Sequence, residues 1–189
     1  MRLMALTMKP NAKPAGVIRR LRPSELNLFR EHLLRLDSES RRDRFNGAIS
    51  DAFLENYAAR SFLDGATVVG YVEGGRVLGA AELHERPELD PPTGEIAFSV
   101  EKELQHRGLG SRLFERLVAH ARSLGYTQLR VTTHPNNDAM RALARKFNAK
   151  LSFEEGETVG VIELDPEPFQ DLDLIPAHPF SARKSAVPA

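Results

Sequence analysis

The feature that most constrains this chain is a glycine-containing turn at residues 105–110, with the sequence QHRGLG. It follows an apolar segment at 95–100 that is typical of a buried strand, and it precedes an amphipathic segment at 111–124 that is typical of a helix. Backbone N–H groups at a helix N-terminus attract anions, and glycine lets the main chain approach a phosphate without a Cβ in the way. The turn therefore predicts a site for a phosphate-bearing ligand, with an ordinary loop as the alternative.

The spacing of the glycines excludes two common nucleotide-binding patterns. The turn lacks the third glycine of the dinucleotide fingerprint, and it lacks the Gly-Lys-Ser/Thr ending of a P-loop. The glycine spacing alone therefore does not identify the ligand, and the order of the surrounding strands and helices is needed as well.

Length and composition indicate one soluble domain with tails. The chain has 189 residues and no net charge, so nothing global points to nucleic acid or a membrane surface. The absence of cysteine excludes disulfides, thiolate metal sites and a cysteine nucleophile, and we expect no metal site. We expect a loose arm at 1–15, a folded domain at 16–165, a proline-rich tail at 166–189, and a cytoplasmic location.

Apolar periodicity predicts alternating strands and helices. We expect strands at 17–21, 67–73, 76–84, 95–100, 128–132, 151–153 and 159–164, and helical segments at 23–36, 38–45, 51–59, 111–124 and 137–147. The dipeptide Gly74-Gly75 between the second and third strands indicates a tight hairpin. A helix connects the fourth and fifth strands, which makes them a parallel pair. The expected fold class is α/β (α+β), a mixed, mostly antiparallel sheet of about six to seven strands with about four helices on both faces.

This element order, with the turn after the fourth strand, resembles the GNAT superfamily of N-acetyltransferases. The turn matches that family's Gln/Arg-x-x-Gly-x-Gly/Ala signature, and residues 137–143 resemble its asparagine-led helix after the fifth strand. Two further features resemble the catalytic domain of bacterial protein lysine acetyltransferases. Ala144 stands where many other GNAT members have a tyrosine, and the segment at 38–45 resembles the corresponding segment of that domain.

The resemblance implies that the chain binds acetyl-CoA. The pyrophosphate would lie on the turn, at the N-terminus of the helix at 111–124, and the pantetheine arm would lie between the splayed fourth and fifth strands, pairing with the backbone like an added strand. The implied cofactor-binding residues are Phe98, Ser99, Val100, Gln105, His106, Arg107, Gly108, Leu109, Gly110, Ser111, Arg112, Asn137 and Met140.

The resemblance also implies two catalytic groups. An alkyl ammonium, with a pKa of about 10.4, must lose a proton before it attacks a thioester. Glu95 matches the general base of lysine-acetylating members, and the backbone N–H of Val100 or a neighbour matches the oxyanion donor. Ala144 stands where many members have a tyrosine that protonates the leaving thiolate. His134, His84 and His106 are weaker candidates for proton transfer.

The sequence does not decide which amine receives the acetyl group. A primary amine is implied, on either a protein lysine or a small molecule, reached by direct attack through a tetrahedral intermediate. The alternative is a non-catalytic acyl-CoA-binding sensor or regulatory module, for which the absent tyrosine is the main support. No nucleic-acid or membrane partner is expected, and both a monomer and a homodimer fit the sequence.

Overall fold

The computed structural model describes residues 16–63 and 66–165. The predicted arm at 1–15 and tail at 166–189 lie outside the described residues. The strands are β1 (Val17–Arg20), β2 (Thr67–Glu73), β3 (Arg76–Arg86), β4 (Thr93–Val100), β5 (Gln128–Thr133), β6 (Lys150–Glu154) and β7 (Glu157–Glu163). The helices are α1 (Leu26–Arg35), α2 (Ser38–Phe45), α3 (Asp51–Leu63), α4 (Leu109–Ser123) and α5 (Asp138–Lys146).

In the described part of the chain the strands form one seven-stranded sheet, in the order β1-β2-β3-β4-β5-β7-β6. Every neighbouring pair is antiparallel except β4 and β5, which are parallel. The β2–β3 hairpin turns through Gly74 and Gly75, whose φ angles of 56° and 75° lie in the left-handed region that a two-residue turn requires. The predicted fold class is confirmed, with five α-helices in the described residues where about four were expected.

Strands β4 and β5 diverge soon after they meet. Their register contains three pairs, from Thr93 with Gln128 to Glu95 with Arg130, although β4 continues to Val100. The β3–β4 ladder shows which way the unpaired backbone N–H groups of β4 point. In that ladder, Glu101 N–H donates to the Leu78 carbonyl at 3.0 Å. Alternation along the strand then turns the backbone N–H groups of Phe98 and Val100 toward β5. The sheet therefore contains an open slot, bounded by residues 96–100 of β4 and 131–133 of β5.

Two apolar cores cover the two faces of the sheet. On one face, α4 buries Leu113, Phe114 and Leu117 completely. On the other face, helices α1 and α3 bury Phe29, Leu33 and Leu54 completely. Each such side chain contributes about 1.5–3 kcal/mol by leaving water. The slot between β4 and β5 thus lies in a sheet that is held rigidly from both sides.

Several boundaries differ from the predicted ones. Helix α3 ends at Leu63 and not at residue 59. Strand β3 extends to Arg86 and β4 begins at Thr93, and these two residues pair, so the connection is shorter than the gap between the predicted strands at 76–84 and 95–100. Helix α4 begins at Leu109 and not at residue 111, because Gly108 takes a left-handed conformation and acts as the N-cap. Asn148, just after α5, has φ 60° and takes the left-handed conformation that often follows a helix.

Candidate active site

The turn before α4 presents free backbone donors. Gly108 has φ 78°, and a Cβ built there meets no atom within 4 Å, so the space beside the turn is open. The first helical hydrogen bond runs from Arg112 N–H to the Gly108 carbonyl at 3.2 Å. The N–H groups of Leu109, Gly110 and Ser111 have no hydrogen-bond partner among the described residues. This geometry fits a phosphate group at the positive end of the helix dipole.

Gln105, one of the predicted cofactor-binding residues, is hydrogen-bonded within the protein. Its backbone N–H donates to the Lys102 carbonyl at 3.2 Å, so this amide is not free for a phosphate. Its side-chain Nε2 donates to the Val100 carbonyl at 2.9 Å and to Ser40 Oγ at 3.1 Å. Gln105 therefore fixes the turn to the end of β4 and to α2.

Positive charge surrounds the turn. Arg107 and Arg112 are exposed, and neither forms an ion pair with a described residue. His106 is exposed as well, with φ 56°. Lys146 of α5 donates from Nζ to Ser111 Oγ at 2.9 Å, which brings another cation to the first turn of α4. The sequence analysis missed Lys146 because only the packing of α5 against α4 brings it near the turn.

Aromatic rings line one side of the slot. The rings of Phe98 and Phe114 stack at 5.0 Å with an interplanar angle of 3°, and those of Phe114 and Phe147 stack at 4.0 Å with 12°. Ala144, which replaces the family's tyrosine, is 1% exposed and lies in the core beneath this stack. Met140, predicted to touch the cofactor, is also buried in that core.

Asn137 caps α5 and ties it to α2. Its Oδ1 accepts a hydrogen bond from Met140 N–H at 2.9 Å, and its Nδ2 donates to the Asp43 carbonyl at 3.3 Å. Both ends of the amide are therefore used within the protein. Helix α2 packs against β4 and β5 and is held from the β4 side through Gln105 and from the β5 side through Asn137.

Ser99 faces away from the slot. Its Oγ lies 2.9 Å from His32 Nε2, while His32 Nδ1 lies 3.3 Å from Glu101 Oε1. Arg35 binds the same carboxylate at 2.7 Å. His32 is fully buried, and burial lowers its pKa below the ordinary value despite the opposing effect of Glu101. This network anchors the end of β4 to α1, and the backbone N–H of Ser99 points toward β3.

Glu95 lies where β4 and β5 begin to separate. It stands opposite His84 on β3 and Arg130 on β5, on the sheet face covered by α1 to α3. Its side chain is 29% exposed, and one carboxylate oxygen forms an ion pair with Arg86. The other oxygen, Oε1, has no partner among the described residues. The carboxylate is therefore held in place and still has a free acceptor atom.

A buried carboxylate lies next to this position. Glu82 is 1% exposed and is bound by four side chains: Arg44 at 2.6 Å, Tyr57 at 2.8 Å, Ser61 at 3.2 Å and His84 at 3.2 Å. Burial alone would raise the pKa of Glu82, but Arg44 and His84 outweigh it and lower the pKa to about 2. Burial raises the pKa of the Tyr57 hydroxyl above its ordinary value, and the Glu82 charge adds to that rise. The sequence analysis missed this network.

Comparison with known families identifies the fold. The sequence model of the acetyltransferase (GNAT) family matches residues 30–149. The chain belongs to the GNAT acetyltransferase family. The strand order, the parallel β4–β5 pair and the turn before α4 are thereby explained together, and the resemblance noted from the two motifs is confirmed at this level.

Solved GNAT structures of low sequence identity share the fold. The GNAT domain of S. lividans PAT has a TM-score of 0.67 at 21% identity, covering 79% of this chain and 90% of that one. YncA from Salmonella typhimurium, solved with acetyl-CoA, has a TM-score of 0.59 at 19% identity, covering 85% and 100%. The PaiA N-acetyltransferase from Thermoplasma acidophilum, solved with coenzyme A, has a TM-score of 0.62 at 15% identity, covering 79% and 99%.

None of the helices at residues 16–63 and 66–165 is both long enough and apolar enough to cross a membrane. The same residues contain no cluster of three or more histidine, aspartate or glutamate side chains arranged to hold a metal ion.

Proposed function

We propose that this GNAT protein transfers the acetyl group of acetyl-CoA to a primary amine. The observation that carries the proposal is the set of free N–H groups at residues 109–111, which opens onto the unpaired edge of β4. A phosphate group fits the free N–H groups at residues 109–111, and a ligand chain that contains amides fits the unpaired edge of β4. YncA and PaiA, which share the fold, were solved with acetyl-CoA and coenzyme A.

The residues of this chain divide the binding task between them. The N–H groups of Leu109, Gly110 and Ser111 bind the pyrophosphate, with Arg107 and Arg112 adding positive charge. The backbone of Phe98 and Val100 pairs with the arm that bears the thioester. When bound, acetyl-CoA supplies the activated acetyl group. The Val100 N–H, which faces the slot, stabilises the carbonyl oxygen as it gains negative charge.

Glu95 acts as the general base in this proposal. Its Oε1 accepts the proton that the acceptor ammonium must lose before attack, either directly or through one water. The Arg86 ion pair fixes the other carboxylate oxygen and so orients the group. Because Ala144 offers no hydroxyl, solvent protonates the departing thiolate.

The acceptor that we propose is a lysine side chain of a protein, with a small amine as the alternative. The support is the absent tyrosine and the segment at 38–45, together with the shared fold of S. lividans PAT. The lack of cysteine fits a reducing compartment, and we place the protein in the cytoplasm.

The test is a calorimetric titration with acetyl-CoA, followed by thiol release with amines and lysine peptides. We expect Glu95→Gln to keep its acetyl-CoA affinity within about twofold and to lose about 10²-fold in kcat, the usual size of a general-base contribution. Glu88→Gln is the matched control, because Glu88 binds the same Arg86 but is exposed and lies outside β4.

The outcomes separate two functions. Binding with amine-dependent thiol release supports the transferase, and equal rates for both variants remove Glu95 from the mechanism. Binding without release for any amine supports the second candidate, a non-catalytic acyl-CoA sensor, which Ala144 in place of the tyrosine favours. Absence of binding contradicts both candidates.

A further inference from the structure

His84 has the geometry of a proton acceptor beside Glu95. It lies directly opposite Glu95 across the β3–β4 ladder, on the same face of the sheet, and its side chain is 30% exposed. Its Nε2 lies 3.2 Å from Glu82 Oε2 and 3.3 Å from the Tyr57 hydroxyl. Its Nδ1 has no partner among the described residues, so one ring nitrogen is held and the other is free.

The buried carboxylate decides which nitrogen carries the proton. Glu82 is ionised at neutral pH, because Arg44 and His84 lower its pKa to about 2 in spite of burial. An ionised carboxylate only accepts hydrogen bonds, so it selects the form of His84 with the proton on Nε2. The lone pair of the neutral ring is then on Nδ1.

We propose that His84 is a second catalytic residue, whose Nδ1 accepts the second proton that the acceptor amine loses, after Glu95 has taken the first. The inference rests on the proposed transferase function. The ammonium gives its first proton to Glu95 Oε1, which leaves a neutral amine. The amine nitrogen forms the new bond to the acetyl carbon and gives its second proton to Nδ1, which leaves an imidazolium that Glu82 stabilises. The carbon–sulfur bond of the thioester then breaks, and the departing thiolate takes a proton from solvent. Glu95 and the imidazolium finally release their protons to solvent.

The surroundings of His84 carry compensating charges. Facing groups come from its own strand (Glu82 and Arg86), from β4 and β5 (Glu95 and Arg130) and from the helices (Tyr57 and Arg44). Arg86 is bound to Glu95 and Glu88, and Arg44 is bound to Glu82. Glu95 is thus already paired with a cation, whereas the Nδ1 of His84 has no charged partner among the described residues. His84 therefore offers a second proton acceptor beside Glu95.

The experiment combines imidazole NMR with kinetics on the full chain. In ¹⁵N-labelled protein, the ring signals of His84, assigned by their absence in His84→Gln, should show the proton on Nε2 above neutral pH. The kinetic probe is Nα-acetyl-lysine methyl ester with acetyl-CoA between pH 6 and 9. We expect His84→Gln to lose about 10²-fold in kcat/KM at pH 7, to lose one ionisation from the pH profile, and to keep acetyl-CoA affinity within about twofold.

His120→Gln is the control, because that histidine is hydrogen-bonded to Thr67 on the opposite face of the sheet. It should match the wild-type profile. A proton on Nδ1, or a His84→Gln profile that coincides with wild type, overturns the role of His84 and leaves the transferase intact. Absence of thiol release from the wild-type protein with every amine contradicts the transferase itself.

Discussion

At the scale of single residues, Glu82 is the most unusual position in the molecule. It is a charged side chain in the middle of β3, where neighbouring positions on the strand are small or apolar and the side chain is almost fully buried. Its charge is tolerated because Arg44 and Tyr57 reach it from two different helices. The network therefore fixes helices α2 and α3 relative to β3, directly beside the proposed proton acceptors.

Loss of the Glu82 charge should destabilise the fold strongly. We expect Glu82→Gln to lower the free energy of unfolding by about 3–5 kcal/mol, because Arg44 would remain buried without a compensating charge. The measurement is urea denaturation at neutral pH. Glu88→Gln, at an exposed ion pair, should leave the free energy of unfolding nearly unchanged. Equal losses in the two variants would contradict the assigned role of Glu82.

Residue-level prediction succeeded where one local pattern was sufficient. The glycine turn and its position before a helix could be predicted because φ and N–H exposure depend on adjacent residues. Glu82 could not be assigned a network, because three of its four partners are 21 to 38 residues away in sequence and meet it only after the helices pack. A carboxylate within an apolar strand was the one available signal.

At the scale of elements, the N-terminus of α4 is the proposed phosphate site. We expect Gly108→Glu to abolish acetyl-CoA binding in a calorimetric titration, because the new carboxylate would occupy the phosphate position. Gly125→Glu is a matched control, since Gly125 lies just beyond the other end of α4 with φ 83° and equally open space. Both substitutions place a residue with a Cβ at a positive φ angle, which costs about 1–2 kcal/mol in each variant. Retained affinity in Gly108→Glu, or equal losses in both, would count against the turn as the phosphate site.

The order and type of the elements were predictable, and their ends were less so. The predicted segments overlap every strand and α-helix that the structure describes, and periodicity was clearest for elements such as α1 and α4, which bury one apolar face. The hairpin of β3 and β4 extends further than predicted because pairing between Arg86 and Thr93 depends on the partner strand. The hydrogen bonds of Gln105, Asn137 and Ser99 could not be predicted for a similar reason, since they go to other elements. The predicted contacts of these residues with the cofactor stay predictions.

At the scale of the whole molecule, proton binding should make the fold acid-sensitive. The pKa of Glu82 is lowered to about 2, and a hydrogen bond from Arg19 lowers the pKa of Glu25 to about 2 as well. Unfolded glutamate has a pKa of about 4.3, so between these values the unfolded chain binds more protons. The free energy of unfolding should fall as pH decreases from about 5 toward 2, and the buried His32, whose pKa is also lowered, should add a loss that begins below about pH 6.5. In urea titrations at several pH values, Glu25→Gln should have a shallower fall than wild type, and an identical slope would contradict the contribution of Glu25.

The slot between β4 and β5 also bears on how the protein avoids aggregation. An unpaired strand edge normally invites a strand from another molecule. Here the open edge of residues 96–100 lies inside the sheet, with α2 on one face and the rings of Phe98, Phe114 and Phe147 on the other. A polypeptide strand entering the slot would direct side chains into both of these layers, so strand addition would require α2 or the rings to move. The fold thus leaves an unpaired edge available to the proposed cofactor and disfavours pairing of that edge with another protein molecule.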